Sequence, residues 1–304
     1  MQTQEFRYPS ATTLGECFSM LWMPDASPRG VVQIAHGMAE HIARYAPFAT
    51  YLAENGYVVA ANDHAGHGKS GDLVLKGYFG SQNGWDAVLR DMKALHDHTA
   101  GLFPGIPYVL FGHSMGSFLS RAYCARYRKD FSALILSGTG GKNPAVAIGK
   151  AVARLEQKRN GKKQPSKLLN DMSFGSYNKA FSPARTAFDW LSRDKAQVDL
   201  YISDPLCGFV FTAEGFYDLL GGILEVTGRK WAEKLPDIPI YLFSGEKDPV
   251  GGNGKGIREV RRWLEEAGHT VTYKLYADGR HEMLNEINRA EVYGDVLQFL
   301  NDTL

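Results

Sequence analysis

Cysteine is scarce in this chain. Cys17, Cys124 and Cys207 are the three cysteines among 304 residues. They are odd in number and widely spaced, so no disulfide framework is expected and a reduced, cytoplasmic setting is the simplest reading. Long apolar runs are missing too. No stretch approaches the ~18 consecutive apolar residues of a membrane-spanning helix. Met1–Met23 mixes charge, Pro and Gly with short apolar stretches, unlike the continuous apolar region of a secretory signal. Neither sign of charge is in excess: 34 Lys and Arg stand against 33 Asp and Glu, a formal net charge of +1. That removes any global electrostatic reason to expect nucleic acid or anionic membrane as a partner. No internal repeat is visible.

What remains is a chain of enzyme size in which short apolar runs alternate with helix-period segments. Val31–Ala35, Tyr57–Ala61, Tyr108–Phe111, Ala133–Ser137, Ile240–Ser244 and Val271–Tyr276 read as strands. Most are rich in Val, Ile and Leu with little polar alternation, as strands buried on both faces are. Between them, Tyr45, Phe48, Ala49 and Leu52 share one helical face, and so do Trp85, Val88, Leu89, Met92 and Leu95. Ile257, Val260, Arg261 and Leu264 repeat the pattern less cleanly, because Arg261 is charged. The alternation predicts an α/β fold with a mostly parallel central sheet flanked by helices. Gln4–Tyr8 and Glu16–Met23 read as antiparallel edge strands.

The rhythm breaks between about Gly140 and Pro236. Candidate helices there are Ala145–Gln157, Ser182–Ser192, Gly215–Leu220 and Arg229–Lys234, with no convincing strand. The expected organisation is a core of residues 1–139 and 237–304 carrying a mainly helical insertion, 140–236. Within it the basic run Lys158–Lys163 reads as a solvated loop.

The strongest chemical signal is Gly112-His113-Ser114-Met115-Gly116. It follows the strand Tyr108–Phe111 and precedes a helix-compatible stretch, Phe118–Arg128, which is the setting of a G-x-S-x-G nucleophile elbow. A serine on so sharp a strand-to-helix turn needs neighbours without side chains two residues to either side, and Gly112 and Gly116 meet that need. A serine hydroxyl also needs a base. His281 lies in a Gly-containing loop just after the last strand, at the sheet edge where open α/β folds collect their chemistry. One strand earlier, Ile240–Ser244 leads into Gly245-Glu246-Lys247-Asp248. Asp248 is the expected third member, with Glu246 as its rival; Asp278 and Glu282 read as surface or loop-stabilising groups. The order Ser114, Asp248, His281 is the one this fold uses. An oxyanion hole would draw one N–H from Met115 and a second from the loop His36-Gly37-Met38, with Met38 offering the amide.

These motifs together resemble the monoacylglycerol lipase and lysophospholipase group of α/β-hydrolases. His36-Gly37-Met38-Ala39-Glu40-His41, continuing to Arg44-Tyr45, is similar to that group's H-G-x-x-E-H-x-x-R-Y segment. Asp63–Ser70 is similar to its D-x-x-G-H-G-x-S turn, and residues 112–116 to its G-H-S-M-G elbow. The resemblance implies a serine carboxylester hydrolase of the α/β-hydrolase fold with a cap between strands six and seven. It implies an acyl-enzyme formed on Ser114, with Met38 and Met115 as oxyanion donors. The implied substrates are monoacylglycerols, lysophospholipids or related small acyl esters. No cofactor, metal or obligate protein partner is implied, and the cap is the part that would touch a membrane surface transiently. A thioesterase or aminopeptidase on the same triad, and a ligand-binding homologue without catalysis, remain alternatives.

There are departures from the group's pattern. Met38 and Ala39 replace the group's small pair, and Ser117 stands where Gly is frequent, which leaves substrate size open. His64 and His67 read as part of a structural turn in which Asp63 and Ser70 bond backbone, rather than as metal ligands. The aromatic-rich stretch Asp204–Leu220 reads as packing of the cap, with an apolar acyl tunnel as the alternative. Cys207 within it has no histidine in an evident partner loop.

Overall fold

The computed structural model describes residues 1–71 and 74–304. Its strands are β1 (Gln2–Pro9), β2 (Glu16–Met23), β3 (Gly30–Ala35), β4 (Tyr57–Asn62), β5 (Tyr108–His113), β6 (Ala133–Ser137), β7 (Ile240–Gly245) and β8 (Val271–Tyr276). The helices are α1 (Ala46–Glu54), α2 (Gly84–Leu102), α3 (Met115–Arg126), α4 (Ala145–Asn160), α5 (Lys167–Phe174), α6 (Lys195–Ser203), α7 (Ala213–Glu225), α8 (Arg229–Ala232), α9 (Lys255–Glu266) and α10 (Arg289–Thr303).

The strands form one sheet of eight in the order β1-β2-β4-β3-β5-β6-β7-β8. β1 runs antiparallel to β2 and β2 antiparallel to β4, while every pair from β4 to β8 is parallel. The five strands from β3 to β7 are buried at every residue, which is why their sequences run apolar without alternation. β8, at the edge, is only partly buried. One apolar cluster packs α2, α3 and α9 on one face of the sheet through Val88, Leu119, Leu136 and Val260. The other face carries α1 and α10 through Phe48, Leu52, Phe111, Ile135 and Leu300. The parallel register pairs Ala35 with Gly112, His113 with Ser137, Ser137 with Phe243, and Gly245 with Tyr276. The C-terminal ends of β3, β5, β6, β7 and β8 therefore share one edge.

Several expectations need correction. β2 lies inside the sheet between β1 and β4, so of these two strands β1 alone is at an edge. Arg261 is not on the buried face of α9; Trp263 joins Ile257, Val260 and Leu264 there, and Arg261 pairs outside with Glu265. Lys158–Lys163 is not all loop, because α4 continues to Asn160. Residues 182–192 form turns, not a helix. The Asp189 carboxylate accepts the backbone N–H groups of Arg185 and Thr186 and the Thr186 hydroxyl, and such local bonds compete with a helix. Two helices went unread, α5 and α6. Each begins at a side-chain cap: Ser166 accepts from Leu169 N–H, and Asp194 from Ala196 and Gln197 N–H. Those caps are the sequence signal that finds them.

Ile135 is fully buried in the second-from-centre strand, paired with Phe111 and Tyr241. Ile135→Val is expected to cost ~0.5–1.5 kcal/mol and Ile135→Ala ~2–5 kcal/mol. Denaturant midpoints at constant m-value check both.

Candidate active site

Ser114 directly follows β5 and caps α3 with φ 52° and ψ −119°, a conformation that costs a non-glycine residue of order 1–3 kcal/mol. The surroundings hold it there. Its N–H donates to Ser137 O at 3.0 Å, and its carbonyl accepts from Ser117 N–H and Ser117 Oγ at 2.9 and 2.6 Å. Gly116 lets the first turn of α3 lie directly on the end of β3: a Cβ there would overlap the carbonyl of Ala35. One on Gly112 would meet Ser120 Oγ and the Gly116 backbone.

Two further strand ends supply an imidazole and a carboxylate. His281 Nδ1 lies 2.9 Å from Asp248 Oδ1, and both side chains are buried. Asp248 also accepts from Ser244 Oγ and Val250 N–H, each at 2.9 Å. Burial opposes its charge, but His281 and these bonds together hold the carboxyl below its ordinary range. Burial likewise opposes a His281 cation. Asp248 outweighs it, helped by Glu282 and Glu40, and the pKa is raised. With Nδ1–H committed to Asp248, Nε2 is the basic nitrogen. Glu246, the rival acid, is not the partner. Among the described residues no hydrogen bond joins Ser114 Oγ to His281 Nε2; such bonds are commonly long until substrate binds.

The loop after β3 is set by hydrogen bonds. His36 Nε2 accepts His64 N–H at 2.9 Å, so Nδ1 carries the proton and donates to Gly37 O at 2.8 Å. Burial pushes the His36 pKa down to about 3, keeping this neutral tautomer. A trans peptide points its C=O and N–H in opposite directions. With Gly37 O turned to His36, the Met38 N–H faces away from it. Met38, Ser114 and Met115 line one cavity of about 1020 Å³. Met115 is the first residue of α3, where N–H groups lack helical acceptors. Ala39 sits at φ 54°, a left-handed strain costing ~1–2 kcal/mol. Its carbonyl accepts from Tyr201 OH and Gly208 N–H.

A buried ionic clamp joins this loop to the His281 loop. Arg44 donates two bonds to Glu282, at 2.7 and 2.6 Å, and one to Glu40 at 2.6 Å. Glu40 also accepts Gly37 N–H and Tyr45 OH. Against the pull of burial, Arg44 keeps both carboxyls below their ordinary values. Glu282 is thus loop-stabilising, one of the two roles the sequence offered, though its partner Arg44 went unread; Asp278, by contrast, is exposed and pairs with Lys247. The segment 189–193 holds the same loop from outside: Glu282 N–H donates to Leu191 O, and the Trp190 ring lies 5.2 Å from that of His281.

The Asp63–Ser70 turn is structural in its bonds. Asp63 accepts Ile42 and Lys69 N–H and Ser70 Oγ accepts Phe18 N–H, while burial pushes His64 and His67 well below ordinary imidazoles. Cys207 does have a histidine near it, contrary to expectation. His41 Nε2 lies 2.8 Å from Asp204 Oδ2, and their ligand atoms and the thiol fall within 4.8 Å of one another. Burial pushes the Cys207 thiol up, leaving it protonated.

Arg44→Met would strand two buried carboxylates, a loss of ~3–5 kcal/mol readable by urea unfolding. The pH dependence separates this from simple packing loss. In the wild type the depressed carboxyls contribute stability that disappears as pH falls through their low folded pKa values, below the ordinary 4.5. In the variant, protonation relieves the unpaired charge, so stability should rise between pH 7 and 5 instead.

A family model described as Hydrolase_4, serine aminopeptidase S33, matches residues 26–288. The chain is 30% identical over 289 residues to a monoacylglycerol lipase of Mycolicibacterium smegmatis, covering 92% of this chain and 91% of that one. It is 31% identical over 290 residues to the monoglyceride lipase of Mus musculus, covering 93% and 85%. Among solved structures, a carboxyl esterase from Bacillus coagulans in complex with glycerol superposes with a TM-score of 0.94 at 32% identity, covering 100% of this chain and 99% of that one. The chain belongs to the serine aminopeptidase S33 family and has the α/β-hydrolase fold.

Proposed function

We propose that this protein is a serine carboxylester hydrolase acting on monoacylglycerols and related single-chain acyl esters. The observation that carries the reading is the ordered pair Asp248–His281 at the sheet edge that also presents Ser114 on its strained elbow. His281 Nε2 takes the Ser114 proton as Oγ attacks the ester carbonyl. The Met38 and Met115 amides donate to the oxyanion. His281 then protonates the leaving alcohol and activates the water that releases the acid. Asp248 keeps the tautomer and stabilises the imidazolium. The large cavity, with Phe118, Phe216, Leu219, Leu220 and Ile223 in its wall, suits an acyl chain, since each buried CH₂ contributes ~0.8 kcal/mol. Relatives named monoacylglycerol and monoglyceride lipases support the substrate class.

We read residues 1–139 and 237–304 as the catalytic core and 140–236 as a cap. Of twelve exposed large hydrophobic residues among those described, seven lie in the cap, including Ile148, Leu155, Leu168, Met172 and Leu200. That bias supports transient contact with a lipid surface. The three buried, unpaired cysteines fit a cytoplasmic setting.

Ser114→Ala should cut turnover of p-nitrophenyl and monoacylglycerol esters at least ~10³-fold and abolish fluorophosphonate labelling; retained turnover, or a preference for amides over esters, would displace the reading. Activity requires neutral His281. Because its pKa is raised, the rising limb of kcat/KM against pH should fall above the ordinary 6.5. Leu155→Asp with Leu200→Asp should weaken sedimentation with phosphatidylcholine vesicles while leaving soluble-ester turnover in place.

A further inference from the structure

Residues 140–236 leave the core just after β6 and turn back towards it after α7. At both places the chain meets one side chain. Arg121, in the second turn of α3, is fully buried. Its Nη1 donates to Gly140 O at 2.9 Å and Thr139 Oγ1 at 3.3 Å, and its Nη2 donates to Val226 O. Thr139 and Gly140 stand where the insertion departs, and Val226 closes α7. The ring of Trp231 in α8 lies 4.3 Å from the guanidinium carbon, and its Nε1–H donates to Arg121 O at 2.8 Å. Among the described residues Arg121 forms no ion pair, and its Nε has no acceptor. A cation buried without a counter-charge is costly, and a methionine would fill the same length with hydrocarbon. What the guanidinium supplies beyond volume is its fork: two donors, in fixed geometry, for buried carbonyls of distant chain segments.

These segments adjoin the chemistry. Gly138, two residues before Gly140, packs on the base: a Cβ there would lie 3.0 Å from His281 Cε1. Gly140 and Phe118 line the Ser114 cavity, and α7, which Val226 ends, contributes Phe216, Leu220 and Ile223 to its apolar wall. Arg121 itself is carried by the helix that begins at the elbow. We infer that Arg121 is a positioning residue for chain-length selection: by tying both ends of the insertion to α3, it fixes the α7 wall at the distance from Ser114 at which a long acyl chain packs against it. It touches no substrate and acts through Gly140 and α7. The role deepens the ester-hydrolase reading and rests on it. A butyryl group draws little from that wall, whereas each further methylene of a decanoyl group gains from burial against it.

The test measures kcat and KM for p-nitrophenyl decanoate and p-nitrophenyl butyrate, both as monomers. The wild type should favour decanoate. Arg121→Lys keeps the charge without the fork, and Arg121→Met keeps the length without a donor. Each should lower the decanoate-to-butyrate ratio of kcat/KM by about tenfold, the worth of roughly two buried methylenes, chiefly through KM for decanoate. Amide hydrogen exchange at residues 139–142 and 226–228 should quicken in both. Arg121→Ala with added ethylguanidinium should regain much of the ratio, and butylammonium of similar length should not, since it cannot fork to two carbonyls. Trp231→Phe removes the indole donor to Arg121 O; it should shift the ratio the same way by a smaller factor, and serves if the Arg121 variants do not fold. Arg159→Met, on the exposed end of α4, should leave the ratio at the wild-type value. A wild type without preference for decanoate, an equal loss on both esters, an unchanged ratio in the Lys and Met variants, or equal rescue by the two cations overturns the role of Arg121 while ester turnover keeps the hydrolase reading intact. Turnover of neither ester by the wild type defeats that reading itself, and the selection with it.

Discussion

The close crossing of α3 over the end of β3 is the constraint on which the site rests. Gly116 puts its backbone against the carbonyl of Ala35, where no side chain fits. Only because that contact is so short can the chain turn straight from β5 into α3, and only that turn lifts Ser114 to the sheet edge. The elbow is held by Ser137 O from one neighbouring strand and by Ser117 from the helix itself. The strain of φ 52° is spread over bonds that the rest of the core keeps in place.

Around that elbow the fold manages charge by burial. Asp248 is satisfied by three donors and stays ionised. His36, His64 and His67 are clustered rings, tilted or edge-on to one another, 4.1 Å and 5.1 Å between centroids from His36 to the others, all kept neutral by burial. The Glu40–Arg44–Glu282 clamp has one more negative than positive charge. It ties the loop after β3 to the loop after β8, and its excess negative charge adds to Asp248 in raising the His281 pKa. The same charges thus align two loops and bias a proton. Arg121 is the contrast. It is fully buried, forms no ion pair with a carboxylate among the described residues, and is held by Gly140 O, Val226 O and the face of Trp231.

Residues 182–192 show where helix-like composition misleads. It suggested a helix, yet the carbonyls of Trp190 and Leu191 are bonded outside the segment. In the folded protein those carbonyls face the His281 loop and accept its backbone N–H groups. Asp189 and Thr186 supply the local bonds that make the turn. Helices α5 and α6 failed in the other direction: they are short, at eight and nine residues, and their Ser166 and Asp194 caps carry the information.

The sequence by itself determined the parallel core, because strands buried on both faces must be apolar throughout, and it determined the elbow, because only glycine tolerates such close backbone approach. It also named Asp248 and His281, since parallel strands deliver their following loops to one edge. Tertiary structure alone decided the rest. Glu282 and Glu40 are 242 residues apart along the chain and become partners only through Arg44. His41 meets Cys207, and Trp190 and Leu191 lend their carbonyls to the histidine loop, by packing. Local periodicity carries no record of such contacts: they depend on where distant loops come to rest, which burial of the whole sheet sets.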